Sequence, residues 1–246
     1  MQVAIITSDK TSWALRPLAW TFRIYWDIEL SVLVGGYTPP PFELPSYYWR
    51  FQSLGDFSDY PVDKWSDGLI KLLDSIHDDL VLLHFDDFWL TRPVDRNAIN
   101  IAQGYMNNHS DVARFDLTSD RLYAAGIRDI GNAGHLDLIE APHDSPYNFS
   151  YQTAIWRREM LLDLIVPGES AGQSEINGNG RLMAKGWGVV GTRQTPLRYC
   201  VAVQHGQLAF DGGYMGAGHA LKVEDRDGFI KRGWVPENLV GGYANV

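Results

Sequence analysis

Leu80-Val81-Leu82-Leu83-His84-Phe85-Asp86-Asp87-Phe88-Trp89-Leu90 is the stretch on which the fold turns. An apolar run of strand type ends in two adjacent carboxylates, and aromatic residues resume at once. Ionised carboxylates side by side repel each other, and desolvating them at the end of a buried strand is costly. A divalent cation bound through oxygen ligands is the usual compensation. A solvated Asp-Asp turn is the alternative.

Working outward, strand and helix signals alternate through the N-terminal half. Val3 to Thr7 is a β-branched run closed by the turn formers Ser8-Asp9. The spacing of Leu18, Ala19, Phe22, Tyr25 and Trp26 predicts a helix over residues 16–26, with Pro17 in its first turn. Residues 30–34 read as a second strand closed by Gly35-Gly36, and residues 38–45 as a Pro-rich loop. A short strand is expected over 51–54, an amphipathic helix over 63–76 and another over 93–107. This order predicts an α/β fold: a mainly parallel sheet flanked by helices. In such sheets ligands bind at the carboxyl ends of the strands, which puts Asp9 and Asp86-Asp87 on one rim.

The second half is more mixed. Residues 115–118 and 136–141 read as strands, 153–165 as a helix, and 189–203 as strand-like pieces. After about residue 210 the Gly-rich, polar composition predicts irregular structure or a lid. No repeat or linker is evident, so one domain over 1–246 is expected. Two halves are expected within it, residues 1–110 and residues 111–246, the latter including the C-terminal loop region.

The chain has 246 residues, 45% of them hydrophobic and 21% charged, which is ordinary for a soluble globular protein. Its N-terminus reads as a strand rather than a signal peptide, and no apolar run is long enough to span a membrane. The single cysteine, Cys200, excludes an internal disulfide framework and a multi-cysteine zinc site, and fits a reducing cytoplasm. Lys and Arg number 21 against 30 Asp and Glu, a net charge of −9. That balance argues against general nucleic-acid binding, which rests on basic groups displacing counterions.

Several motifs are ruled out. No phosphate-binding Gly-rich loop follows the first strand. Gly212-Gly213 and Gly216-Ala217-Gly218 read as loop glycines. Gly168-Glu169-Ser170-Ala171-Gly172 has the spacing of a serine-hydrolase elbow but follows a predicted helix instead of a strand. The seven histidines, including His205, show no paired metal spacing. His219, in the C-terminal Gly-rich segment, is the one most suited to be an additional metal ligand.

These pieces together resemble the GT-A fold glycosyltransferases, in particular small enzymes found in bacteriophage genomes and polysaccharide loci. Asp86-Asp87 after a βαβ half resembles their acidic metal motif, with His84 where an acid-x-acid pattern has its first carboxylate. Residues 150–159, Ser-Tyr-Gln-Thr-Ala-Ile-Trp-Arg-Arg-Glu, followed by Gly168-Glu169-Ser170 and Glu175, resemble their acceptor-side half. There a Gln-x-x-Ile-Trp helix precedes a Glu-Ser turn and a second acid. Ile6-Thr7-Ser8-Asp9, Arg16-Pro17, Lys64-Trp65-Ser66-Asp67-Gly68 and Gly191-Thr192-Arg193 are further matching pieces.

The resemblance implies a metal-dependent transfer of sugar from a nucleotide-sugar donor, a UDP-sugar, to a hydroxyl acceptor. The acceptor would be a saccharide or a hydroxymethylated DNA base. Thr7, Ser8 and Asp9, with Asp67, would contact the nucleotide. Asp86 and Asp87, joined by His219, would hold Mn²⁺ or Mg²⁺ against the diphosphate. Glu175 would be the general base, with Glu169 in reserve. A nucleotidyltransferase on a similar sheet and a non-catalytic carbohydrate-binding protein are the alternatives.

Overall fold

The computed structural model describes residues 1–27, 29–59, 62–204, 207–212 and 217–243. His205, Gly213 and Gly216 lie outside the described residues.

A nine-stranded sheet runs through the molecule. Its strands are β1 (Gln2–Ile6), β2 (Val32–Gly36), β3 (Trp49–Ser53), β4 (Leu80–Phe85), β6 (Val112–Asp116), β7 (Arg128–Ala133), β8 (Leu136–Glu140), β9 (Ala154–Arg157) and β10 (Gly188–Thr192). Their order across the sheet is β3-β2-β1-β4-β9-β6-β10-β8-β7. β1, β2, β3 and β4 are mutually parallel, as expected of the N-terminal half. Beyond β4 the sheet is mixed: β9 is antiparallel to both of its neighbours, β10 is parallel to β6, and β8 and β7 close the edge antiparallel.

Alternation along the central strands splits their side chains between two cores. Val3 and Ile5 of β1 and Leu80 and Leu82 of β4 point to one face, while Ala4, Ile6, Val81 and Leu83 point to the other. Helices α1 (Leu15–Tyr25) and α3 (Arg96–Asn108) cover the first face with Leu18, Phe22, Ala102 and Met106. Helices α2 (Trp65–Asp74), α4 (Arg158–Leu164) and α5 (Ala171–Lys185) cover the second with Leu69, Leu72, Leu161 and Leu182. Burial on both faces explains why β4 reads as a continuous apolar run.

Four expectations change. Gly35 and Gly36 do not close β2 but continue it. A Cβ on Gly35 would stand 2.8 Å from Leu72 Cδ1, and one on Gly36 2.7 Å from Thr7 Cγ2, so close approach and not a turn requires glycine there. Residues 154–157 form strand β9 instead of the start of a helix, and only the following seven residues are helical. The strand lies between β4 and β6 with Ala154, Ile155 and Trp156 fully buried. Residues 93–95 precede α3, which begins where the Asp95 side chain accepts from the Ala98 N–H as N-cap. The C-terminal segment is more regular than expected, with α6 (Val223–Lys231) and α7 (Glu237–Tyr243). No helix among the described residues is long and apolar enough to cross a membrane.

Candidate active site

The carboxyl ends of β1, β2 and β4 open into a cleft of about 200 Å³, lined by Ile6, Thr7, Ser8, Lys10, Thr11, Tyr37, Phe57, Trp65, Phe85 and Asp86. Its chemistry follows from the strand ends. Thr7 continues β1 and donates its hydroxyl to Asp86 Oδ2 at 2.5 Å. Ser8 and Thr11 face one another across the next turn, Oγ to Oγ1 at 2.9 Å. Trp65, opening α2, stacks on Phe85 at 6.1 Å and meets the edge of Tyr151 at 4.8 Å. One wall is therefore aromatic and the other carries hydroxyls and a carboxylate.

Asp86 is 4% exposed, and Asp87 is half-buried. Burial pushes the carboxyl pKa of both upward. For Asp86 the neighbouring Asp87 charge adds to the rise, and hydrogen bonds from Thr7 and Thr11 oppose it. No arginine, lysine or histidine forms an ion pair with either among the described residues. Two desolvated acids without a cation offer oxygen donors of the kind a hard divalent ion takes.

The turn that carries them is clamped by its neighbours. His84, fully buried, places Nε2 2.7 Å from the Phe88 carbonyl, so that nitrogen bears the proton, and Nδ1 then accepts from Thr153 Oγ1 at 2.7 Å. Burial lowers the His84 pKa to about 4, so the ring is neutral. Trp89 Nε1 donates to the Asp86 carbonyl at 3.1 Å, and the Ala202 N–H to the Asp87 carbonyl at 2.7 Å. Strand β5 (Phe88–Leu90), just after the turn, pairs antiparallel with β11 (Tyr199–Val201). His84 thus orients the acidic turn through β5; it occupies the place of an acid without being one.

The other residues singled out in the sequence fall into separate places. Thr7 and Ser8 line the cleft. Asp9 is turned to Thr38, accepting from its N–H and its hydroxyl at 3.0 Å each, and so anchors the Pro-rich loop. Asp67 accepts from the Gly168 N–H at 2.6 Å, while Ser66 and Glu169 exchange backbone and hydroxyl hydrogen bonds. Glu169 is held by both guanidinium nitrogens of Arg181, at 2.9 and 2.7 Å, and by Asn177 at 2.8 Å. That pairing, led by Arg181, holds its carboxyl below the usual range. Asp67 and Glu169 therefore fasten α2 to the start of α5. Ser170 caps α5 with a full capping box, which accounts for the elbow-like spacing.

Glu175 differs from Glu169. It is half-buried, pairs with no arginine side chain among the described residues, and accepts from the Tyr151 N–H at 2.7 Å. Burial pushes its pKa up, with the Tyr151 N–H and the Arg114 charge opposing. The Tyr151 ring rests against Trp65 and Phe85, linking Glu175 to the cleft wall.

His219 Nδ1 lies 3.0 Å from the Tyr199 carbonyl and docks its segment on β11. No three His, Cys, Asp or Glu converge as metal ligands among the described residues, so Asp86, Asp87 and His219 do not form one group. Reading the sequence missed Lys10, Thr11, Trp65 and Phe85 as cleft residues. Lys10 and Thr11 belong to the turn that leaves β1, a position that could have marked them.

No protein-family model and no curated protein sequence matches this chain. Among solved structures it is similar to S. aureus TarS 1–349 in complex with UDP-GlcNAc, with TM-score 0.53, 14% identity, and coverage of 85% of this chain and 60% of that one. The UDP complex of TarS 1–349 gives TM-score 0.53 and 13% identity, covering 81% and 60%. A further TarS 1–349 structure gives 0.51 and 12%, covering 80% and 59%. This chain thus spans about six tenths of the TarS 1–349 chain. The likeness extends to the central mixed sheet and its flanking helices, and the fold is the GT-A-like α/β fold.

Proposed function

We propose that this chain is a nucleotide-sugar glycosyltransferase that moves the sugar of a UDP-sugar to a hydroxyl acceptor. The observation that carries it is the cleft at the carboxyl ends of β1, β2 and β4, which ends on Asp86 beside Asp87 with no cation paired to either among the described residues. Similarity of fold to a protein crystallised with UDP and UDP-GlcNAc supports the same reading.

In this reading the aromatic wall of Trp65, Phe85 and Tyr37 receives the base and ribose, and Thr7, Ser8 and Lys10 face the phosphates. Asp86 and Asp87 would hold Mn²⁺ or Mg²⁺, which when bound neutralises charge on the departing diphosphate. His84, Trp89 and Ala202 keep the acidic turn in place. Glu175 accepts the proton of the acceptor hydroxyl as its oxygen bonds to the anomeric carbon and the bond from that carbon to the β-phosphate oxygen breaks. A raised pKa suits Glu175 to this role, whereas Glu169, committed to Arg181, is a structural ion pair. The net charge of −9 favours a saccharide over a modified DNA base as acceptor.

Calorimetric titration with UDP, with and without Mn²⁺, tests the reading, joined to a screen of UDP-sugars for UDP release. Metal-dependent UDP binding that disappears in Asp87→Asn is the expected result. Binding indifferent to both the metal and that substitution refutes it, and release of pyrophosphate instead of UDP assigns a nucleotidyltransferase.

A further inference from the structure

A second concavity, of about 450 Å³, lies along the outer side of α1 and is within the size range of roughly 300–1,000 Å³ typical of ligand sites. Arg16, Ala19, Trp20 and Arg23 occupy one helical stripe. The opposite wall is Phe42 and Glu43 from the Pro-rich loop and Trp234 from the C-terminal segment. The residue spacing puts the two arginines two turns apart, about 10 Å along the axis.

Four features make this more than a solvated face. Arg16 stands in the first turn of α1, where the helix dipole disfavours a cation, and no acid in that turn offsets it. Its guanidinium lies 4.3 Å from the centroid of the Phe42 ring, an arrangement that leaves its N–H edge free for a carboxylate or phosphate. Neither Arg16 nor Arg23 enters an ion pair among the described residues, with Glu43 or any other acid. Between them the floor is aromatic and held from behind. Buried Phe229 meets Trp20 edge-on at 5.3 Å and stacks with Trp234 at 5.8 Å.

Flat apolar faces flanked by two free guanidinium groups match a saccharide that carries anionic groups: the rings lie on the indoles, and the charges meet the arginines. A nucleic acid would ask for a longer run of cations than a groove with two arginines and a glutamate offers. We propose that this groove binds an anionic oligosaccharide, a binding chemistry that stands apart from the transferase reading.

Calorimetry on the full chain with four probes tests this: hexagalacturonate, a phosphodiester-linked mannose hexamer, neutral maltohexaose, and a single-stranded DNA dodecamer. One or both anionic saccharides should bind at least tenfold more tightly than maltohexaose. Which of them binds distinguishes carboxylate from phosphodiester recognition. Arg16→Ala/Arg23→Ala, changing two exposed side chains, should lower that affinity tenfold or more and leave UDP binding unchanged. Equal binding of maltohexaose, equal or tighter binding of the DNA, no loss in the double variant, or no binding by either anionic saccharide overturns the proposal. Failure of UDP to bind the wild-type protein refutes the transferase reading alone, because the saccharide titrations need no nucleotide.

Discussion

Asp86→Asn separates what the acidic turn does for stability from what it does for ligand binding. The substitution is isosteric and keeps an oxygen to accept from Thr7, so it removes charge and little else. Burial, and then the Asp87 charge, raise the native pKa of Asp86 above its unfolded value. The native state then binds more protons than the unfolded chain between the two values, so stability falls as pH rises through that window. Each unit of elevation is worth about 1.4 kcal/mol. That elevation is what remains after the hydrogen bonds from Thr7 and Thr11 have opposed it, so removing the charge should recover at least about 2 kcal/mol. At about 2–4 °C per kcal/mol for a chain of this size, the Asp86→Asn protein should melt about 4–8 °C higher than wild type at pH 7.5 without divalent ions. Scanning calorimetry at pH 5 and pH 7.5 should show the difference growing with pH, and any contribution from His84 cancels because both proteins share it. With Mn²⁺ and UDP at a hundredfold excess over Kd, wild type should gain about 2.7 kcal/mol and the variant much less. A variant that melts below wild type at pH 7.5 would show that Asp86 already has an ionic partner, and would refute the uncompensated pair.

His84 responds to pH in the opposite sense. Its native pKa, about 4, lies below the ordinary value of 6.5, so its contribution is complete above pH 6.5 and is lost as pH falls towards 4. Relative to a His84→Asn variant, wild type should lose about 2 kcal/mol between pH 7.5 and pH 5, read by urea denaturation at the two pH values. An unchanged difference would mean that the ring is not buried neutral. Gly36→Ala would press a methyl on Thr7 Cγ2 and the Phe51 ring. We expect a loss of about 1–3 kcal/mol with weakened UDP binding, since Thr7 holds Asp86, and normal affinity by titration would contradict this. Arg121→Met should cost about 1.5–3 kcal/mol in chemical denaturation, because fully buried Asp116 loses its 2.8 Å Nε donor while keeping Arg114 at 2.6 Å; a loss under 1 kcal/mol would contradict it.

The legible parts of the fold are those whose residues state their own environment. Leu80–Phe85 can be bounded to the residue, because a doubly covered strand is a continuous apolar run and the acids end it. β9 is illegible for a related reason. A four-residue strand with three successive buried residues shows no alternation, and the helix that follows lends it its period. At the site, position at the carboxyl end of a parallel strand was informative: Thr7, Ser8 and Asp86 meet at one rim. Contacts between distant segments were not. Nothing local says that Asp67 will accept from Gly168, or that Arg181 will claim Glu169 and leave Glu175 without a cation bound to it. The buried cluster of Arg114, Arg121 and Asp116 is equally silent, since arginine and aspartate ordinarily announce a surface.

The late arrival of β9 governs how this sheet can be assembled. Its place between β4 and β6 is filled only once Arg157 has been synthesised, so a nascent chain carries β4 with one bare edge while residues 86–157 are made. The backbone groups along Leu80–Leu83 are then open to any strand that reaches them. A fragment ending at residue 110 would keep that edge permanently and should self-associate, whereas one extended past residue 165 can close it. Non-local pairing of this kind makes formation of the central sheet the slow step of folding, and the parallel N-terminal strands must wait for a partner from the other half of the chain.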